Sequence, residues 1–208
     1  MKITAPEIND YILSLRQKPD KVLITMEKLA AERGFPIIGP LVGPILRQLA
    51  YISGAKKIFE MGSGFGYSAY WFAGGIRKGG KIICTDGSDD NRNLAARYLK
   101  KAGYDSIIDY RVGNALDIIT QFKSPFDIIF CDIDKEGYPD AFDLAIPRLK
   151  SGGIFITDNV LWSGRILSDK PDKTSRAILE FNRKLFSSKD LISSIIPIRD
   201  GISLAVKK

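Results

Sequence analysis

Oxygen-bearing side chains follow two apolar runs of the sequence and are the first candidates for chemistry. Asp132 comes after the run at residues 126–131, and Asp158 with Asn159 comes after the run at residues 153–157. If these runs are neighbouring parallel strands, their carboxyl ends meet at one edge of the sheet. Two carboxylates and an amide oxygen are hard ligands suited to Mg²⁺, with Mn²⁺ or Ca²⁺ as alternatives. These residues therefore predict a divalent metal site, and a simple polar turn after the second run is the alternative interpretation.

A lysine follows the first of these aspartates and is the candidate catalytic residue. Lys135 lies three positions after Asp132, close enough in sequence to reach the same point. A neighbouring dication favours the neutral form of an amine, and a neutral amine can remove a proton from a hydroxyl group. The alternative interpretation is an ordinary solvent-exposed charge on a loop.

A glycine-rich loop follows an earlier apolar run at residues 56–61. Gly62, Gly64 and Gly66 alternate with other residues, and Glu60 and Ser68 lie on either side of them. Glycines let the backbone turn tightly and approach a ligand, beside the free N–H groups of the following helix. A dinucleotide fingerprint has the spacing G-x-G-x-x-G, whereas this loop has G-x-G-x-G. The spacing counts against a pyrophosphate site and therefore against a nicotinamide-dependent dehydrogenase.

Two further strand ends carry candidate contacts to a nucleoside. Asp86 ends the second apolar run about twenty residues after Gly66, a spacing that suits a carboxylate accepting hydrogen bonds from ribose hydroxyls. Asn114 and Ala115 follow the third run and are candidates for contact with an adenine edge. A helix-capping turn is the alternative interpretation for Asp86, and a plain turn is the alternative for the other two.

The order of the elements predicts the fold that positions these residues. Helical periodicity dominates residues 1–54, with a helix capped by Asp20 and ended by Gly34 and a second one at about 40–52. From residue 55 to 208, short apolar runs alternate with amphipathic segments, which is typical of βαβ units. We therefore predict one α/β domain with a Rossmann-like core and a mostly parallel seven-stranded sheet with helices on both faces. The last two runs predict an antiparallel hairpin at the sheet edge.

Composition narrows the function classes further. The 208 residues suit one domain, and the net charge of +7 comes from basic residues scattered without a basic run, so we do not expect nucleic acid as a partner. The longest apolar runs fall far short of the ~20 residues that cross a bilayer, and the N-terminus lacks a signal-peptide core, so we expect a cytoplasmic protein without a membrane partner. Cys84 and Cys131 lie inside predicted strands, and without histidine or a CxxC spacing they favour neither a disulfide nor a zinc site.

Together these motifs resemble one known family. The patterns E-x-G-x-x-x-G-Y-S, G-N-A, D-x-x-K-x-x-Y and DNVLW, with a later DG turn, are similar to those of the cation-dependent O-methyltransferases, which include the catechol and caffeoyl-coenzyme A enzymes. The resemblance covers roughly residues 35–208. It implies the class I methyltransferase fold, S-adenosylmethionine as methyl donor, a phenolic small-molecule acceptor and a homodimer.

The resemblance also implies roles for individual residues. Lys135 matches the family's general base, and the metal ligands are Asp132, Asp158 and Asn159. The cofactor-binding residues, which contact its methionine end, ribose or adenine, are Ile38, Glu60, Gly62, Ser68, Asp86, Asn114, Ala115 and Asp132.

The expected function is metal-dependent transfer of a methyl group from S-adenosylmethionine to a hydroxyl of a catechol-like or other phenolic small molecule. The first alternative is a cation-independent or nucleic-acid methyltransferase of the same fold, although the N-P-P-Y signature of base amino-group methylation is absent. The second is a non-catalytic cofactor-binding module. Such a module would lose the oxygen cluster, and this chain keeps both the cluster and the glycine loop.

The glycine spacing and Asp86 generate a binding prediction. Calorimetry should detect binding of S-adenosylmethionine or its demethylated product and no binding of NAD. Asp86→Ala should weaken cofactor binding by about 1.5–3 kcal/mol, because it removes a charged hydrogen-bond acceptor. Unchanged affinity in a folded variant would exclude Asp86 from the cofactor site.

Overall fold

Seven strands form the centre of the molecule. The computed structural model describes residues 3–208, so the first two residues of the predicted domain lie outside the described part of the chain. The strands are β1 (Lys57–Met61), β2 (Lys81–Asp86), β3 (Ile108–Val112), β4 (Phe126–Cys131), β5 (Leu149–Thr157), β6 (Leu191–Ile196) and β7 (Ile202–Lys207).

These strands make one sheet in the order β3-β2-β1-β4-β5-β7-β6. The pairs among β1 to β5 are parallel, whereas β7 is antiparallel to both β5 and β6. The predicted mostly parallel sheet with a C-terminal antiparallel hairpin is therefore confirmed. The carboxyl ends of all five parallel strands face the same edge, as the argument from Asp132 and Asp158 requires.

Helices cover both faces of the sheet. They are α1 (Pro6–Ser14), α2 (Lys21–Arg33), α3 (Gly39–Ile52), α4 (Tyr67–Ala73), α5 (Asp89–Lys101), α6 (Ala115–Thr120), α7 (Tyr138–Ala145) and α8 (Lys173–Ser187). Alternate strand residues point to opposite faces, so Ile58 and Ile128 join α2 to α5 in one apolar cluster. Phe59 and Ile129 join α6 to α8 in the other. Burial on both faces explains why the central strands are near-continuous apolar runs.

Local start and stop signals set most helix boundaries. The Asp20 carboxylate accepts hydrogen bonds from the N–H groups of Val22 and Leu23, both at 2.9 Å, and α2 ends at Gly34 with φ 59°. The predicted limits of α2 and α5 are confirmed. α7 ends at Ala145, because Pro147 has no N–H group to continue the α-helical hydrogen bonds, and a short 3₁₀ turn follows.

The longest helix is one that the sequence reading did not assign. α8 begins after Asp172, whose carboxylate accepts a hydrogen bond from the Ser175 N–H at 2.7 Å. Its buried positions include Ile178, Phe181 and Leu185. The aromatic ring of Phe181 packs against those of Tyr138, Phe142 and Phe155. α8 thus fixes α7 against the sheet, and α7 follows the loop that carries Lys135.

Two further expectations concern the cysteines and membrane-spanning helices. Cys84 and Cys131 are buried in β2 and β4 as free thiols, as predicted. Over residues 3–208, no helix is both long enough and apolar enough to cross a membrane.

The aromatic contacts of α8 predict a large stability effect. Phe181 is fully buried, so Phe181→Ala should lower the free energy of unfolding by about 3–5 kcal/mol in urea denaturation. Phe186→Ala, at a position 53% exposed on the same helix, is the matched control and should change it by no more than about 0.5 kcal/mol. Equal losses in the two variants would contradict the role given to the Phe181 contacts.

Candidate active site

A cavity of about 700 Å³ opens at the carboxyl ends of the parallel strands. Its wall includes residues that follow each of the strands β1 to β5, and the segment before α3 closes one side. Every predicted site residue except Glu60 lines it: Ile38, Gly62, Ser68, Asp86, Asn114, Ala115, Asp132, Lys135, Asp158 and Asn159. The structure therefore brings the glycine loop and the oxygen cluster into one cavity.

The glycine loop lies directly against the segment after β4. Gly62 has φ 82°, and a Cβ atom on it would lie 2.3 Å from the carbonyl oxygen of Asp132. Gly66, with φ 88°, occupies the residue before α4 and starts that helix in a left-handed conformation. A side chain at position 62 would push apart the loop and the segment that carries Asp132.

Glu60 lies beneath the loop and not in the cavity wall. Its side chain is fully buried, and its Oε2 accepts a hydrogen bond from the Ser63 hydroxyl at 2.8 Å. Ser63 is also bonded to β2, because its N–H donates to the Thr85 carbonyl at 2.7 Å. Burial raises the pKa of Glu60 to about 7. The structure thus gives Glu60 a contact with the loop, while its predicted contact with the cofactor stays a prediction.

Asp86 forms the turn offered as the alternative interpretation and also contacts the glycine loop, while its predicted contact with ribose stays a prediction. One carboxylate oxygen accepts a hydrogen bond from the Gly64 N–H at 3.1 Å, in the glycine loop. The other accepts from the Ser88 N–H at 2.9 Å and from the Asn91 side chain at 3.0 Å, as in a turn that leads into a helix. A carboxylate has about four acceptor positions, so capacity for a ligand hydroxyl remains.

The other nucleoside candidates also have structural contacts of their own. Asn114 caps α6, since its Oδ1 accepts a hydrogen bond from the Leu116 N–H at 2.8 Å. Ala115 is buried at the start of the same helix, and both residues line the cavity. Ile38 is 3% exposed and lines the opposite side. Their contacts with adenine and the methionine end of the cofactor stay predictions.

The N-terminal helices are joined to the glycine-loop helix by a polar contact that the sequence reading missed. The Tyr67 hydroxyl at the start of α4 donates a hydrogen bond to Glu27 at 2.8 Å. Glu27 in turn forms an ion pair with Arg16 at 3.2 Å. Tyr67 also lines the cavity, as does Phe35 in the segment between α2 and α3. The N-terminal helices therefore help to enclose the cavity.

The oxygen cluster combines burial with a carboxylate oxygen that has no hydrogen-bond partner in the described part of the chain. Asp158 is 2% exposed, and its Oδ1 has no hydrogen-bond partner among residues 3–208. Burial, and next the nearby charge of Asp132, raise the pKa of Asp158 to about 7. A bound cation would coordinate the unpaired oxygen and reduce the repulsion between the two carboxylates. Asn159 completes the set in a left-handed conformation (φ 59°), which asparagine tolerates well.

These residues fit a hard divalent cation by their chemistry. Among the residues that the structure describes, no group of three or more His, Cys, Asp or Glu side chains is placed to hold a metal ion. A site formed by Asp132 and Asp158 therefore requires the Asn159 amide as its third protein ligand. Three oxygen donors leave positions open for water or substrate in the octahedral geometry of Mg²⁺.

Lys135 points toward the cluster and is not the exposed loop charge of the alternative interpretation. Its side chain is 14% exposed, and its Nζ donates hydrogen bonds to Asp132 Oδ1 at 2.8 Å and to the Ile133 carbonyl at 3.2 Å. The ammonium also lies 5.4 Å from the centre of the Tyr138 ring. The general-base role stays a prediction, and the structure places the amine in the cavity beside Asp132.

Arg199 is a cavity residue that the sequence reading treated only as part of a turn. It lies between β6 and β7, and its Nη1 is 3.9 Å from Asp158 Oδ2. The turn is held to the loop after β5, because the N–H groups of Val160 and Leu161 donate to the carbonyls of Gly201 and Asp200 at 3.1 and 2.9 Å. The sequence signal for this position was the predicted antiparallel hairpin. Because β7 runs antiparallel to β5, the turn before β7 lies at the sheet edge that carries the site.

The strand order, the antiparallel β7 and the cavity at the strand ends define a class I methyltransferase fold. A family model described as O-methyltransferase matches residues 22–208. The chain therefore belongs to the O-methyltransferase family, and the predicted family is confirmed.

Individual relatives agree with this assignment. A catechol O-methyltransferase of Niastella koreensis is 30% identical over 213 residues, covering 97% of this chain and 96% of that protein. A caffeoyl-CoA O-methyltransferase of Medicago sativa is 32% identical over 78% of this chain and 71% of that protein. The structure of the Bacillus cereus O-methyltransferase in complex with SAH has a TM-score of 0.89 and 27% identity, with 97% of both chains covered. TomG from Streptomyces achromogenes, in complex with SAM, has the same TM-score and identity over 97% of this chain and 96% of that one.

The burial of Glu60 predicts a pH dependence of stability. Its carboxyl group has an ordinary pKa of 4.5 and a native value of about 7, so between these values the native state holds a proton that the unfolded state has lost. The contribution to stability is fully present below pH 4.5 and is lost as the pH rises through 7, about 3 kcal/mol in all. Glu60→Gln should flatten the decline of the free energy of unfolding over this window, measured in urea with chelator present.

Glu180→Gln is the matched control, because Glu180 is exposed on α8. This change should leave the pH profile as in the wild type. A Glu60→Gln profile as steep as that of the wild type would contradict the assignment.

Proposed function

We propose that the protein transfers the methyl group of S-adenosylmethionine to a hydroxyl of a catechol-like or other phenolic small molecule, with a divalent cation at Asp132, Asp158 and Asn159. The observation that carries the proposal is the shared cavity. One space of about 700 Å³ is lined by the glycine loop, by Asp86 and by the oxygen cluster. A donor bound by the loop and an acceptor bound at the cluster would therefore lie next to each other.

The coarser part of this function follows from the family. The protein is an S-adenosylmethionine-dependent O-methyltransferase of the catechol and caffeoyl-CoA type. The cavity residues that would hold the donor are Gly62, Gly64, Asp86 and Asn114, with Ile38 and Ser68 at the methionine end. The alternating glycine spacing supports a nucleoside without a pyrophosphate.

The cation and the phenolic acceptor are the specific part of the proposed function. A phenol with a pKa near ~10 is mostly protonated at neutral pH and is then a weak nucleophile. A divalent cation, when bound, would favour ionisation of such a phenol at the site and fix its orientation. The orphaned Oδ1 of Asp158, the nearby Asp132 carboxylate and the hard donor set support this choice.

Lys135 is the proposed general base. Its Nζ lies at hydrogen-bond distance from Asp132 Oδ1, so a hydroxyl that reaches the cluster is also within reach of the amine. As general base, the amine would accept the hydroxyl proton while the oxygen forms a bond to the methyl carbon of the donor. The methyl–sulfur bond breaks at the same time, and the demethylated donor leaves.

The assembly and location also form part of the proposal. α1 exposes Ile8, Tyr11, Ile12 and Leu15, which recur at the spacing of one helix face. This apolar face supports the homodimer that the resemblance implies, because exposed apolar surface of this kind is commonly covered by a partner. We place the enzyme in the cytoplasm, with no membrane or nucleic-acid partner.

Metal removal tests the cation. Excess chelator should abolish methyl transfer to a catechol, and added Mg²⁺ or Mn²⁺ should restore it, whereas Zn²⁺ should serve less well with this oxygen set. Asp158→Ala should have the effect of the chelator, because two protein ligands hold Mg²⁺ poorly. Cofactor binding, measured by calorimetry, should survive both treatments.

Asp105→Ala is the control for loss of an aspartate, because Asp105 is exposed and does not line the cavity. It should retain metal-stimulated activity. Full activity in excess chelator, with the protein verified as metal-free, would favour the cation-independent alternative.

Truncation of Lys135 tests the general base. Lys135→Ala should lower kcat by roughly 10²–10⁴ while calorimetry shows nearly unchanged affinity for cofactor and metal. Lys101→Ala, an exposed lysine at the end of α5, is the control and should retain kcat. A wild-type kcat in Lys135→Ala would show that another group accepts the proton.

A further inference from the structure

A second cavity adjoins the one that holds the proposed reaction. It has a volume of about 470 Å³ and lies between the N-terminal segment and the turn that joins β6 to β7. Asn159 and Arg199 line both cavities. These two residues therefore place the second space directly beside the oxygen cluster.

The Arg199 guanidinium lies between the two cavities, and its N–H groups have no hydrogen-bond acceptor among the residues that the structure describes. Within residues 3–208 it makes no hydrogen bond, and its Nη1 atom is buried without a partner. The carboxylate of Asp158, at 3.9 Å, is too distant for a hydrogen bond. The side chain is 31% exposed and lines both cavities.

The backbone at this position is unfavourable for an arginine. Arg199 has φ 51°, in the left-handed region where glycine is the residue without a steric cost. Strained backbone of this kind is found preferentially at functional sites. The turn itself does not require an arginine, so the guanidinium is the feature that calls for an explanation.

The nearby acidic side chains do not pair with the hydrogen-bond donors of the Arg199 guanidinium. Asp200, the next residue, directs its carboxylate to Ser163, whose N–H and hydroxyl both donate to it. Asp158 belongs to the oxygen cluster, where a bound cation would take up its charge. The planar fork of the guanidinium is therefore free to bind a group with two parallel acceptor oxygens, and a carboxylate has that geometry.

We propose that Arg199 binds a carboxylate on the acceptor, which makes hydroxylated aromatic acids the preferred substrates of this enzyme. The inference rests on the proposed function, because it concerns the acceptor of that same site. Arg199 is then a specificity-determining residue, and the second cavity is the space for the acidic end of the substrate.

A matched pair of acceptors tests the proposal. The wild-type enzyme should methylate 3,4-dihydroxybenzoate with a kcat/KM at least about 10-fold higher than that for its methyl ester, which keeps the ring and hydroxyls and lacks the charge. Arg199→Gly, which suits the left-handed backbone, should reduce this acid-to-ester ratio to about one. Arg199→Lys should retain part of it, because lysine keeps the charge and loses the planar fork.

Binding gives a second measurement that does not depend on turnover. With SAH present, calorimetry should show that Arg199→Gly weakens binding of 3,4-dihydroxybenzoate by about 10- to 100-fold, in the presence and in the absence of added Mg²⁺. Lys28→Gln removes one positive charge from a side chain that is 75% exposed on α2, and it should leave the acid-to-ester ratio unchanged.

The outcomes separate the two levels of the proposal. Equal efficiency for acid and ester in the wild type, or a ratio that persists in Arg199→Gly, would overturn the carboxylate assignment and leave the proposed function standing. A loss of the ratio in Lys28→Gln as well would also overturn it, since the effect would then be one of overall charge. Methyl transfer to neither compound, nor to any other phenol, would overturn the proposed function together with the inference.

Discussion

The close approach of two backbone segments at Gly62 is the constraint on which the site depends. Without a Cβ atom, the glycine loop lies against the carbonyl of Asp132, and the Asp132 N–H donates to the Met61 carbonyl at 2.8 Å. β1 and β4 are neighbours in the sheet, so the loops after them share one edge. This contact makes the nucleoside side and the oxygen cluster parts of a single cavity, and methyl transfer requires that proximity.

The second requirement is charge balance around two carboxylates in a largely buried place. Asp132 is paired with Lys135 at 2.8 Å, and Asp158 faces Arg199 at a longer distance. Burying a charge without compensation is costly, so each aspartate has a basic side chain from a nearby loop or turn. These basic groups also have chemistry available to them. In the proposed function the amine accepts the hydroxyl proton, and in the further inference the guanidinium binds the acceptor.

Much of the fold and of the site could be predicted from the sequence, because strand order and strand ends leave clear local patterns. The apolar runs of β1, β2, β4 and the second half of β5 mark buried strands, and because β1 to β5 are parallel, the residues after them lie at one edge. α8 was missed although Ile178, Phe181 and Leu185 have the spacing of an amphipathic helix after the Asp172 cap, so its signal was present in the sequence. Glu60 lies in the predicted strand β1, but its burial beneath the glycine loop depends on the turn at Ser63, whose hydroxyl donates a hydrogen bond to it. Arg199 depends on the insertion of β7 beside β5, a long-range pairing that no local pattern encodes.

The hairpin of β6 and β7 has a consequence for how the enzyme is assembled during folding. β6 pairs only with β7 among the described strands, and β7 is the strand that joins this local unit to β5. Hairpins form quickly, whereas docking onto a distant strand involves a larger loss of chain entropy. A chain whose hairpin has not docked would therefore have an incomplete site even where the parallel sheet has formed. In that state the nucleoside side of the cavity already exists, while Asp158 lacks its neighbouring guanidinium and the acceptor side has no wall.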